Sequence, residues 1–89
     1  MSNQNNDQEF KKQLDDHYQW PANYLFKFIV PKGKENAFDE IFPPGQEVKF
    51  KLSSEGNYIS ISAEVYMHSS EEVMNIYRKA YLVEGIISL

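Results

Sequence analysis

The residues able to do chemistry are few and scattered. His17 and His68 are the only histidines, far apart in the chain, and Asp15-Asp16-His17 is the one place where a histidine adjoins carboxylates. A metal centre needs three or four converging ligands, so this triplet reads as a solvated turn and no metal site is expected. Asp39-Glu40 and Glu71-Glu72 are adjacent carboxylates, but acid–base work needs one carboxyl held neutral opposite another, and both pairs suit helix starts instead. Ser53, Ser54, Ser60 and Ser62 have no histidine near them and no glycine-flanked nucleophile turn, so a serine triad is not expected. Neither is a cofactor, and no catalytic residue can be named. One loop could receive an anion: Lys32, Gly33 and Lys34 form a candidate ligand loop, because free backbone N–H groups at a helix start point outward beside two cations.

These residues must be held by elements that the hydropathy pattern makes legible. From Glu47 to Met67, Val48, Phe50 and Leu52 alternate with Glu47, Lys49 and Lys51. After the turn at Ser53 to Asn57, Ile59, Ile61, Ala63 and Val65 alternate with Tyr58, Ser60, Ser62, Glu64 and Tyr66. A period of two through both arms predicts an antiparallel hairpin with one greasy and one wet face. Gly56 and Asn57 both tolerate the positive φ that a short turn demands. Tyr24 to Val30 is an apolar run broken only by Lys27 and closed by Pro31, which predicts a buried central strand. Ala37, Phe38, Ile41 and Phe42 recur at helical spacing and are stopped by Pro43-Pro44-Gly45, so that helix is short. Ser69-Ser70-Glu71-Glu72 is a capping-box pattern opening a helix with an inward stripe of Val73, Ile76, Tyr77 and Ala80. Gly85 then frees the chain for a last strand, Ile86 to Leu89.

At the other end, the polar residues 1–8 predict a mobile tail outside the domain. Glu9 to about Tyr18 forms an extra helix with Phe10 and Leu14 one turn apart. Residues 9–89 are thus expected to form one α+β domain, a ferredoxin-like βαββαβ sandwich. Its antiparallel sheet of four strands has the order 4-1-3-2, with two helices on one face and the extra N-terminal helix in front.

Composition narrows the function classes. The 89 residues suit a single domain, and six Phe, six Tyr and one Trp supply large apolar area to a small core. There is no cysteine, which removes disulfide and thiolate-zinc chemistry. Neither a secretory signal nor a membrane span is legible, and a soluble cytoplasmic protein is expected. The net charge of −4 has the wrong sign for phosphate-backbone binding. Sheet-face aromatics also suit RNA-recognition modules, yet Lys27 stands where a stacking ring is wanted and neither central strand carries Arg, so nucleic acid is disfavoured as a partner.

Trp20-Pro21 with Tyr24, Phe26 and Lys27, then Ser53 to Ser62, then Tyr77 and Gly85-Ile86-Ile87-Ser88-Leu89 resemble the YbeD-like family of small bacterial domains of unknown function. The resemblance spans about residues 20–89 and is most specific in the Ser-x-Gly-Asn-Tyr turn. It implies an ACT-like fold, no catalytic residues, and a regulatory role by protein binding or ligand sensing. In ACT domains the effector sits near the first strand-to-helix loop, which corresponds here to Pro31 to Lys34.

Two function classes follow. The first is a non-enzymatic regulatory or adaptor domain that binds a protein partner, or itself as a homodimer, through the open sheet face or an edge strand. Its candidate surface is Lys27, Lys49, Lys51, Tyr58, Ser60 and Ser62. The second is a small-molecule sensor using Lys32, Gly33 and Lys34.

Overall fold

A computed structural model describes residues 4–89. Helix α1 runs Gln4–His17, strand β1 Ala22–Pro31, a 3-10 turn Glu35–Ala37 leads into helix α2 at Phe38–Ile41, and strands β2 and β3 span Val48–Leu52 and Tyr58–Met67. Helix α3 spans Ser70–Ala80 and strand β4 is Ile87–Ser88. All strand pairs are antiparallel, and the sheet order is β2-β3-β1-β4; counted from the β4 edge it is 4-1-3-2.

Strands β1 and β3 pair along their whole length, from Ala22 opposite Met67 to Pro31 opposite Tyr58. Because side chains alternate, this register stacks Phe26, Phe28 and Val30 beside Ala63, Ile61 and Ile59 on one face, all buried. The helices cover that face. Phe28 packs on Phe38 at 5.3 Å between ring centroids, Phe26 on Tyr77 at 5.4 Å, and Phe10 of α1 on Tyr77 at 5.5 Å. Leu14, Phe42, Val65, Met67, Val73, Met74, Ile76 and Ala80 complete the core.

The predicted helix start at Ser69 is present: Ser69 Oγ accepts from the Glu72 N–H at 3.2 Å. The reciprocal arm reaches one residue further back than a capping box implies, since Glu72 Oε1 accepts the His68 N–H at 2.8 Å. The carboxylate is thereby held below its ordinary range, chiefly by that backbone hydrogen bond.

Several sequence expectations shift. Of the tail expected over 1–8, residues 1–3 lie outside the described residues and 4–8 are helical in α1, five positions ahead of the Glu9 start. A salt bridge between Asp7 and Arg78 of α3, at 3.7 Å, accompanies that extension. The first core helix is shorter than Glu35 to Phe42. Its first turn is 3-10, and Phe42, which precedes Pro43, is extended at φ −83 and ψ 150, as a residue before proline must be. In the hairpin turn only Gly56 has positive φ, +78, while Asn57 does not need it. The closing strand is two residues long, not four.

The largest correction concerns β2. Phe50 and Leu52 do face the helical side, opposite Ile61 and Ile59, but they are 49% and 50% exposed. Helix α2, stopped by Pro43-Pro44, does not extend over them.

Candidate interaction face

The sheet face opposite the helices is built by the same alternation that makes the core. Its cross-strand rows follow from the register: Lys49, Ser62 and Lys27 form one row, and Lys51, Ser60, Ile29 and Ile87 the next. Tyr58 sits across from Pro31 at one end, and Leu25 across from Glu64 toward the other. All six residues of the candidate surface therefore share one face. Lys27, Lys49, Lys51 and Tyr58 are exposed, and Ser60 and Ser62 are half-buried between the longer side chains.

The chain turns where these rows require it. Ser53 N–H donates to the Tyr58 carbonyl at 2.8 Å, Gly56 N–H to the Ser53 carbonyl at 2.9 Å, and Tyr58 N–H to Ser53 Oγ at 3.2 Å. The turn is thus closed by its own groups and presents Tyr58 at the rim of the face. Ser60 Oγ donates to the Lys51 carbonyl at 3.4 Å, so it supports the β2–β3 seam and is no free nucleophile.

Two shallow grooves cross the face. One, of about 520 Å³, is bordered by Ile29, Lys51, Leu52, Tyr58, Ser60 and Ile87 and is mostly apolar. The other, also about 520 Å³, is more polar and is bordered by Leu25, Lys27, Glu47, Lys49, Ser62 and Glu64. Among the described residues none of Lys27, Lys49 and Lys51 takes part in an ion pair. Unpaired cations beside exposed Leu25, Tyr58, Tyr66 and Ile87 make a surface fit for an apolar partner with acidic groups. Ile87 was not found by sequence reasoning, because its position beside Ile29 depends on the register of a two-residue strand.

The candidate ligand loop is arranged differently. Gly33, at φ +100, gives its N–H to Glu35 Oε1 at 2.7 Å, and the Lys34 N–H goes to the Pro31 carbonyl at 3.0 Å. Lys34 Nζ lies 3.8 Å from Glu84. The chain's own carboxylates occupy the positions an anion would take, leaving Lys32 as the loop's unpaired cation among the described residues. His68 Nδ1 lies 3.3 Å from Glu72, and no group of three or more potential metal ligands occurs among the described residues.

Compared with known protein families, residues 15–86 match the model described as Protein of unknown function (DUF493). The match takes in β1, β2, β3, α2 and α3, and leaves out most of α1 and the closing strand β4. Comparisons with curated proteins and with solved structures gave no match.

Proposed function

This chain belongs to the DUF493 family, and we propose that it acts as a non-enzymatic regulatory or adaptor domain that binds a protein partner, or a second copy of itself, through the sheet. The observation that carries this reading is the open face: among the described residues Lys27, Lys49 and Lys51 stand without ion pairs beside half-exposed Leu25, Tyr58 and Ile87, and no described element covers them. An enzymatic reading lacks a comparable cluster: Ser53, Ser69 and Glu72 serve a turn and a helix cap, Ser60 ties β2 to β3, and Asp15, Asp16 and Glu71 accept from Trp20 or from neighbouring cations. The likeness of the Ser53 to Ser62 segment to YbeD-like domains, and of this sheet order to ferredoxin-like and ACT-like domains, supports a binding module. We place it in the cytoplasm; no described helix is long and apolar enough to cross a membrane.

The ACT-like sensor is the weaker alternative, because Gly33 and Lys34 already have carboxylate partners within the chain. The test is the paired change Tyr58→Ala with Lys27→Glu. It should abolish self-association in sedimentation, or capture of a specific partner, while thermal stability stays nearly unchanged, since both side chains are exposed. Association that survives both changes removes this surface. A metabolite that raises the melting temperature, with its effect lost in Gly33→Ala, would favour the sensor instead.

A further inference from the structure

Strand β2 is an edge of the sheet, and its outward side is backbone. The Ser53 N–H points inward to Tyr58, and hydrogen-bonded and non-hydrogen-bonded pairs alternate along an antiparallel ladder. Lys49 and Lys51 therefore turn their N–H and C=O groups toward β3, and Val48, Phe50 and Leu52 turn theirs away from the sheet. Above this free ladder stand two distinct stripes. On the helical side Phe50 and Leu52 are half exposed, because α2 ends before reaching them. On the open side Lys49 and Lys51 carry two cations without ion pairs among the described residues.

Resting on the binding-module reading, we infer that the β2 edge takes an extended peptide in which acidic and apolar residues alternate, adding a fifth strand to the sheet. The acidic side chains fall beside Lys49 and Lys51, and the apolar ones extend the core over Phe50 and Leu52. Charge complementarity selects this occupant over a second copy. An antiparallel β2–β2 pairing centred on Phe50 sets Lys49 against Lys51 of the other copy, and centring it on Lys49 or on Lys51 sets that lysine against itself. The registers centred on Phe50 and on Lys51 oppose lysines with no carboxylate on β2 to offset them, and the one centred on Lys49 opposes that lysine to itself while setting Lys51 against Glu47; opposed like charges are a device by which edge strands resist self-pairing.

The experiment titrates the full chain with two capped heptapeptides, one alternating Glu with Val and one alternating Lys with Val, followed by backbone amide shifts and hydrogen exchange. The expected result is saturable binding of the acidic peptide only, weakened by salt, with new protection at the Phe50 and Leu52 amides. In Lys49→Glu/Lys51→Glu the preference inverts, with the acidic peptide bound roughly tenfold more weakly. Methylating alternate peptide nitrogens on the pairing side abolishes binding, because the ladder bonds are lost. Phe50→Thr weakens binding while keeping a strand-forming residue. Equal binding of both peptides, indifference to charge reversal or N-methylation, perturbations confined to Lys27 and Tyr58, or a β2-mediated dimer in place of peptide binding would each overturn the inference. If the Tyr58→Ala/Lys27→Glu change alone abolishes partner capture and Lys49→Glu/Lys51→Glu leaves it intact, the edge is wrong and the binding reading stands. If neither change alters capture, the binding reading falls, and the peptide titration still decides the edge.

Discussion

The hydroxyls of Tyr24 on β1 and Tyr77 on α3 meet at 2.9 Å, joining the sheet to the helix that covers it across 53 positions of sequence. Both rings sit in the aromatic seam with Phe26, at 4.7 Å and 5.4 Å between centroids. Burial raises the Tyr77 pKa well above its ordinary 10.0, with the Tyr24 hydrogen bond adding to it. Tyr24 is also raised, by burial first.

This pair makes the fold alkali-sensitive. Below its ordinary pKa of 10.0 each tyrosine is neutral in both folded and unfolded chains, so pH has no leverage there. As pH rises past that value the unfolded chain loses protons that the folded chain keeps, and stability falls. Urea unfolding at rising pH should show the loss beginning near 10, reduced in Tyr24→Phe/Tyr77→Phe. At neutral pH Tyr77→Phe alone should cost about 1 kcal/mol, since it leaves the Tyr24 hydroxyl without its partner.

Gly85 should resist substitution for reasons of space and of backbone. It has φ +82, and a Cβ there would lie 2.7 Å from Pro31 Cγ. Gly85→Ala is expected to cost about 2 kcal/mol, combining left-handed backbone strain with the displaced proline ring. Gly45→Ala, at φ +85 with nothing within 4 Å of the new atom, should cost about half as much. Chemical denaturation of the two variants gives the comparison, and equal losses would discount the Pro31 contact.

Two phenylalanines that look alike in sequence should differ strongly in energy. Phe38 is 2% exposed and packs on Phe28 and Phe42, whereas Phe50 is 49% exposed. Phe38→Ala should destabilise by about 3–5 kcal/mol through lost burial and a cavity. Phe50→Ala should cost about 1 kcal/mol or less. Thermal and denaturant midpoints of both variants check this.

The start of α3 should be acid-sensitive through Glu72. Its pKa is lowered from the ordinary 4.5, so the stabilisation is present above that value and is lost as pH falls through the lowered one. Glu72→Gln should flatten this acid limb, and Ser69→Ala should cost about 1 kcal/mol at every pH. Both are read from unfolding midpoints between neutral and acid pH.

Much of this architecture was legible from residue order because it depends on local rules. Alternation of Ile59, Ile61, Ala63 and Val65 defined β3, Ser69 with Glu72 defined the start of α3, and Pro43 after Phe42 defined the stop of α2. The face shared by Lys27, Lys49, Lys51, Tyr58, Ser60 and Ser62 was also within reach, because side-chain parity along paired strands assigns each residue to one side.

What residue order could not supply was the reach of one element over another. That Phe50 and Leu52 stay half exposed, that Ile87 lies beside Ile29, and that Glu84 comes within 3.8 Å of Lys34 each depend on distances between segments that meet only on folding. Periodicity declares which side of a strand is apolar. Only the tertiary structure decides whether anything covers it, since burial belongs to pairs of surfaces and not to a residue.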